Sequence, residues 1–358
     1  MKVAFHAGQL LQDVPGGIGR YSQALLNRLP AAGVDVVAFA AGDAPANLPD
    51  SVEWCDLGAP RGPLRYELWH RFRRPALPMR ADIVHAPSLA IPPPGAAALV
   101  VTVHDVSFLR MPHVTTRQGE RFHRRGLELA RREARVVIVP SEFTRRELEQ
   151  EGFAPERLHI ARFGVDPPRE RAPADIDAVL DDLGISRPYV LTVGTVEPRK
   201  DLETIVRAVE AVRARHPDLT LVVNGPRGWG VVHGLDRPFV RVLGTQPWSV
   251  VDALYRRAAV CCIASLYEGF GLPALEAMVR GTATIAASGS ATEEVMHDGG
   301  LVFDRSNPDA CAAAIERVLD DDELRLRLRA AGPLRASDLT WERTIAEHLH
   351  AYEQATTS

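Results

Sequence analysis

Val260-Cys261-Cys262-Ile263-Ala264-Ser265-Leu266-Tyr267-Glu268-Gly269-Phe270-Gly271-Leu272-Pro273-Ala274-Leu275-Glu276 joins an apolar, β-prone run to a helix start through a glycine-rich loop. Val260–Ala264 has the length and composition of a buried strand. Gly269, Gly271 and Pro273 break it, and Pro273 suits the first helical position. The spacing predicts a helix over Leu272–Arg280 with Glu276 roughly one turn in, at about 3.6 residues per turn, and leaves Glu268 on the loop. The backbone N–H groups of Gly269, Phe270 and Gly271 lead into the helix N-terminus, where unpaired donors and the positive dipole end favour a phosphate. Two glycines let that backbone come close to a ligand. Carboxylates accept hydrogen bonds from hydroxyls, so Glu268 suits a sugar on the loop side and Glu276 a ribose on the helix side. Residue types alone equally allow Glu268 as a helix cap and Glu276 as a solvated acid near the helix start.

The chain has 358 residues, 46% of them hydrophobic. That length implies about two domains with substantial cores. A net charge of −4 argues against a dominant nucleic-acid role. No run approaches the roughly 18 apolar residues of a membrane helix, and Met1-Lys2-Val3-Ala4-Phe5-His6 enters a strand directly instead of a signal peptide. Cys55, Cys261, Cys262 and Cys311 show neither metal nor redox spacing. The expectation is core packing in a reduced, cytoplasmic protein.

Apolar strand patterns alternate with helical ones almost throughout, which implies parallel sheets. The first half gives strands at Val3–Ala7, Val34–Ala40, Ile83–His85, Leu99–His104, Val136–Val139 and Leu158–Phe163, with helices at Ile18–Leu29, Thr116–Ala134 and Glu142–Glu151. A proline-bearing connection with one short helix follows. The second half gives strands at Tyr189–Val193, Thr220–Asn224, Val240–Leu243, Val260–Ala264, Thr284–Ala287 and Leu301–Phe303. Its helices are expected at Leu202–Arg215, Ser249–Ala258, Leu272–Arg280, Asp309–Leu319 and Asp322–Ala331. The resulting division is a domain over 1–168, a linker over 169–187, a second domain over 188–339 and a closing helix over 340–356.

All of the 42 cationic residues except Lys2 and Lys200 are arginine. Lys200 therefore stands out, since a compact ammonium differs chemically from a guanidinium. It lies in Val193-Gly194-Thr195-Val196-Glu197-Pro198-Arg199-Lys200-Asp201, where Pro198 ends the extended run and Asp201 can cap the next helix. Arg199 and Lys200 would sit at the carboxyl end of a strand, where open α/β sheets bind ligands, and a basic pair there suits a diphosphate. The first half offers two candidates to meet such a ligand across a cleft. Pro15-Gly16-Gly17-Ile18-Gly19-Arg20 lies between the first strand and first helix, although its glycines are mis-spaced for a dinucleotide fingerprint. His104 ends the strand Val101-Thr102-Val103, a position open to a structural or a catalytic reading.

Together, Gly16-Gly17-Ile18-Gly19-Arg20-Tyr21, Val103-His104-Asp105, Pro140-Ser141-Glu142-Phe143-Thr144, Pro198-Arg199-Lys200, Leu254-Tyr255-Arg256-Arg257-Ala258 and Glu268-Gly269-Phe270-Gly271-Leu272-Pro273 with Glu276 resemble glycosyltransferase family 4. The resemblance runs over essentially the whole chain, and the two glutamates eight apart around Gly-Phe-Gly are its most specific part. It implies an α/β protein of the GT-B fold, with two Rossmann-like doubly wound parallel-sheet domains facing a central cleft and the last helix crossing back to the first. It also implies transfer with retention of anomeric configuration, without a metal or other cofactor. The catalytic set so implied is His104, Arg199, Lys200 and Glu268. The donor-binding set is Gly16, Gly17, Gly194, Thr195, Gly244, Gly269, Phe270, Gly271, Leu272 and Glu276, with the base near Gly244. The sugar nucleotide is then a substrate, and the wording of the motifs leans to GDP-mannose.

The acceptor is far less legible; a glycan, a lipid-linked acceptor or a small-molecule hydroxyl all fit. Arg61-Gly62-Pro63-Leu64-Arg65-Tyr66-Glu67-Leu68-Trp69-His70-Arg71-Phe72-Arg73-Arg74 mixes arginines with aromatics, and Arg117–Arg135 adds further cations. Such a face could approach an anionic membrane peripherally, or be a solvated basic helix. A catalytically silent sugar-nucleotide binder and another GT-B enzyme, such as a non-hydrolysing 2-epimerase, are the rival functions.

Overall fold

The computed structural model describes residues 1–13, 16–111, 116–168 and 176–357. Contacts divide the chain into two compact units, Met1–Gly164 with the last helix, and Val165–Thr340.

In the first unit, chain order is β1 (Lys2–His6), α1 (Gly16–Leu26), β2 (Asp35–Ala40), β3 (Glu53–Asp56), α2 (Gly62–Phe72), β4 (Ile83–Ala86), β5 (Ala98–Thr102), α3 (Ser107–Arg110), α4 (Arg117–Glu133), β6 (Val136–Val139), α5 (Glu142–Gln150) and β7 (Leu158–Ile160). The strands form one parallel sheet in the order β3-β2-β1-β4-β5-β6-β7. Central strands such as Val136-Val137-Ile138-Val139 are buried along their whole length, because helices cover both faces of a parallel sheet.

The second unit contains α6 (Ile176–Asp182), β8 (Tyr189–Val193), α7 (Leu202–Val212), β9 (Thr220–Asn224), β10 (Val240–Gly244), α8 (Trp248–Arg257), β11 (Val260–Ile263), α9 (Leu272–Val279), β12 (Thr284–Ala287), α10 (Ala291–Met296), β13 (Leu301–Phe303), α11 (Pro308–Asp320) and α12 (Asp322–Ala336). Its parallel sheet runs β10-β9-β8-β11-β12-β13. The last helix, α13 (Trp341–Thr357), packs across β4, β5, β6 and β7 of the first sheet.

Both sheets reverse their strand order once, between β1 and β4 and between β8 and β11. At such a switch point the loops leaving two neighbouring strands diverge to opposite faces and open a crevice at the carboxyl edge. The β8 loop carries Gly194 to Asp201 and the β11 loop carries Ser265 to Gly271, so the two stretches singled out in the sequence flank one crevice.

Three local expectations are corrected. The segment 169–187 is not all linker: 169–175 lie outside the described residues, but Leu180 and Ile185 are buried against Leu254, Tyr255 and Ala258, so α6 is part of the second core. Asp201 does not cap α7 with its side chain; its φ is +47 and its Oδ2 accepts from the Thr204 hydroxyl at 2.8 Å. The helix expected to stop at Ala331 continues through Pro333 to Ala336. Gly332 explains the continuation, since a Cβ there would stand 3.0 Å from the Met278 carbonyl oxygen, and this close packing of α12 on α9 overrides the proline.

The buried cysteines 261, 262 and 311 are free thiols inside the second core, with Cys262 Sγ 3.7 Å from Cys311 Sγ. Among the described residues no helix is long and apolar enough to cross a membrane, and no three His, Cys, Asp or Glu side chains gather as a metal-holding group.

Candidate active site

β8 delivers the chain to Gly194, whose φ of +150 and close approach to Lys200 Cε, 3.2 Å from a would-be Cβ, suit only glycine. Pro198–Lys200 form a single 3-10 turn. That turn is fastened to the β11 loop through its backbone, by Leu266 N donating to Arg199 O at 2.9 Å, and through its side chains. Arg199 Nη1 donates to Tyr267 O at 2.8 Å and to Glu268 Oε2 at 3.3 Å, while Nη2 lies 2.7 Å from Glu197 Oε1. Lys200 Nζ donates to Glu268 Oε1 at 2.5 Å. Both cations therefore converge on one carboxylate, 69 and 68 residues away in sequence. A recess beside this cluster is lined by Gly194, Thr195, Lys200, Ser265 and Pro273.

Glu268 is 9% exposed. Burial alone would push its carboxyl up, but Lys200 and Arg199, with hydrogen bonds from Lys200 and Ser265, outweigh that and hold it at about 2. It is a fixed anion between two fixed cations. It is not the cap of α9: the cap position is Gly271, at φ +106 and with no side-chain bond. The helix starts at Leu272, where the spacing places it, so Pro273 takes the second helical position and not the first. Phe270 is buried, so only its backbone is offered to a ligand.

Glu276 is not a solvated acid of the first turn. It lies five residues into α9, is fully buried, and its Oε2 accepts from the Tyr255 hydroxyl at 2.9 Å. Gly244 ends β10 with φ +68, and its carbonyl accepts from Gly225 N at 2.9 Å. Tyr255 in this setting was not apparent from sequence, because the bond spans two helices 21 residues apart.

In the first unit His104 lies two residues past β5, in the loop. Its Nε2 is 2.7 Å from Pro87 O, a group that can only accept, so Nε2 carries the hydrogen and Nδ1 is the acceptor in the neutral ring. Burial lowers the His104 pKa and thereby favours that neutral ring, against smaller opposing effects of the Pro87 bond and Asp105. Tyr21 stands edge-on to it, ring centroids 5.0 Å apart at 85°. Gly16 and Gly17 open α1; Gly16 has φ +62, and a Cβ at either would meet nothing within 4 Å. Neither glycine is demanded by packing against the described residues at the Cβ position. Pro15 of that motif lies outside the described residues.

Behind His104 runs a buried polar chain. His348 Nδ1 lies 2.6 Å from Thr344 O, so Nδ1 donates and Nε2 accepts from the Tyr21 hydroxyl at 2.6 Å. Tyr21 then accepts from Thr102 Oγ1 at 2.8 Å, Thr102 accepts from His85 Nε2 at 2.8 Å, and His85 Nδ1 accepts from Tyr352 at 2.7 Å. One backbone carbonyl thus fixes every direction in the chain.

Comparison with known proteins identifies the chain. Residues 15–169 match the profile of Glycosyltransferase Family 4, and residues 181–335 match that of Glycosyl transferases group 1. O-antigen chain mannosyltransferase B of Escherichia coli is 30% identical over 385 aligned positions, covering 99% of this chain and 100% of the relative. The chain belongs to glycosyltransferase family 4. This glycosyltransferase also shares 34% identity with a D-inositol 3-phosphate glycosyltransferase of Salinispora arenicola, over 56% of the chain and 50% of that relative. Among solved structures it is similar to HepE of Anabaena in complex with UDP-glucose, at TM-score 0.75 and 19% identity over 98% and 99% of the two chains. WaaG, a glycosyltransferase involved in lipopolysaccharide biosynthesis, gives TM-score 0.72 at 16% identity over 97% and 99%. The fold of this glycosyltransferase is GT-B, and it is an enzyme that uses a sugar-nucleotide donor.

Proposed function

We propose that this glycosyltransferase moves a hexose, mannose being the favoured sugar, from a nucleoside diphosphate to a hydroxyl of a glycan, glycolipid or small molecule, with retention of configuration. The observation that carries the reading is the convergence of Arg199 and Lys200 on Glu268 beside the glycine-capped start of α9. When the bond from the sugar C1 to the diphosphate breaks, negative charge grows on the leaving oxygen and positive charge on the sugar. Arg199, Lys200 and the N-terminus of α9 stabilise the first. Glu268, held ionised, stabilises the second and accepts from sugar hydroxyls. The acceptor oxygen bonds to C1 on the face the diphosphate leaves, and its proton passes to a diphosphate oxygen, so no separate enzyme base is required. His104, through Nδ1, accepts from a sugar hydroxyl, and Glu276 accepts from the ribose.

Alanine at Arg199, Lys200 or Glu268 is expected to lower donor-dependent release of nucleoside diphosphate by about 100-fold or more, the scale of losing one preorganised charge. Unchanged release in all three variants overturns the assignment. Resemblance to the mannosyltransferase of Escherichia coli supports mannose, and GDP is proposed as its carrier; a thermal-shift panel in which UDP stabilises more than GDP would reverse that preference. The reading includes no metal, so turnover should survive EDTA.

A peripheral membrane contact is proposed only for α2. Its Leu64 and Phe72 are 60% and 56% exposed, beside exposed Arg61, Arg71 and Arg74. Arg65 and Arg73 do not belong to that face: Arg65 bonds Pro60 O, Leu57 O and Gly58 O, and Arg73 bonds Ile91 O, Pro92 O and Glu133. Flotation with anionic liposomes that is unaffected by Phe72→Ser with Arg71→Glu and Arg74→Glu removes the proposal.

A further inference from the structure

The reading of Glu276 as the ribose-binding acid leaves open what aims it. A glutamate has three side-chain torsions, and inside a protein its carboxylate points where its partners hold it. Tyr255 holds it from the neighbouring helix, its hydroxyl donating to Oε2 at 2.9 Å with both residues fully buried.

Tyr255 is itself fixed from several sides. Its carbonyl accepts from the Thr282 hydroxyl at 2.6 Å. The Arg280 guanidinium carbon lies 5.7 Å from its ring centroid and 5.0 Å from that of Trp248. Arg280 in turn donates to Asp252 Oδ1 at 2.6 Å and to the backbone carbonyl of Glu276 at 2.9 Å, while Asp252 Oδ2 accepts from Arg256 at 2.6 Å. Arg280 therefore touches both members of the Tyr255–Glu276 pair. Asp252 and Arg280, 4% and 1% exposed in their side chains, form a buried ion pair behind it. A buried pair of this kind is weak evidence for stability and is better read as fixing geometry.

We infer that Tyr255 is a positioning residue for the donor nucleotide: it pins one oxygen of Glu276 so that the carboxylate presents the other to the ribose hydroxyls. Phenylalanine at 255 would keep the ring between its neighbours and remove only the donor.

The test is a cycle between protein and ligand. Dissociation constants are measured by calorimetry for wild type and Tyr255→Phe, with the nucleoside diphosphate of the preferred base and with its 2′,3′-dideoxy analogue. Wild type is expected to bind the dideoxy analogue about tenfold more weakly. Tyr255→Phe is expected to bind the ribose form about tenfold more weakly and the two ligands nearly alike, with kcat at saturating donor unchanged. If wild type binds both ligands equally, the ribose reading of Glu276 fails. If wild type discriminates and Tyr255→Phe discriminates just as well, that reading stands and the inference about Tyr255 is overturned. Replacement of Tyr255 by p-aminophenylalanine restores a ring donor and should restore discrimination. Loss of discrimination in that variant would equally overturn the inference, and this arm holds even if Tyr255→Phe does not fold.

Discussion

At Gly271 the backbone takes φ +106, and a Cβ there would stand 2.6 Å from the Thr292 hydroxyl oxygen. Conformation and space both exclude a side chain at the residue that turns the β11 loop into α9. Gly271→Ala should cost about 1–3 kcal/mol of stability from backbone strain alone, read as a lower denaturation midpoint. An alanine variant as stable as wild type would show that the loop relaxes freely. The glycine was legible in the sequence because the spacing Glu-Gly-Phe-Gly-Leu-Pro breaks a strand and opens a helix. The environment of Glu276 was not, because Tyr255 reaches it through the packing of α8 on α9, and no local pattern encodes that pairing.

Among elements, those with strong periodicity were readable and those defined by context were not. The central strands are uninterrupted apolar runs, and their positions follow from composition. β3 (Glu-Trp-Cys-Asp) is an edge strand with both end residues exposed, and lacks the apolar run that marks a buried one. α10 has six residues, too few to display a 3.6-residue period. The role of α13 likewise lies in tertiary contacts: His348 and Tyr352 complete the polar chain through Thr102, Tyr21 and His85. Tyr21→Phe breaks that chain and leaves buried polar partners unmatched, a loss of about 1–3 kcal/mol. Because its ring still packs on His104, Tyr21→Phe should keep most of its turnover where Tyr21→Leu does not. Equal loss of turnover in the two variants would contradict a positioning role for the ring.

For the whole molecule, the two units should respond differently to acid. His6, His70 and His348, all in the first unit, are lowered from the ordinary 6.5 to about 4, chiefly because burial disfavours the charged ring. Between those values the unfolded chain binds more protons than the folded one, so stability rises with pH across the window. The contribution is fully present above about pH 6.5 and lost as pH falls through 4, on the order of 3 kcal/mol for each histidine. The described histidines of the second unit, His216, His233 and His297, are not buried. There Glu268, held at about 2, keeps its contribution until far lower pH. Hydrogen exchange at pH 5, corrected for intrinsic rates, should show the sheet β1–β7 losing protection before the sheet β8–β13; the reverse order would contradict the assignment. The division into two doubly wound sheets was legible from alternating strand and helix patterns. The pairing of the Arg199 loop with the Glu268 loop follows from a strand order that no single segment reveals.

The central claim is that the donor diphosphate lies at the crevice between β8 and β11. A crystal structure with the preferred nucleoside diphosphate bound tests it most directly. The account predicts the distal phosphate within hydrogen-bond reach of Arg199, Lys200 and the backbone at Gly269–Gly271, with the ribose against Glu276. A diphosphate bound elsewhere on the second unit, with Arg199 and Lys200 untouched, would contradict it.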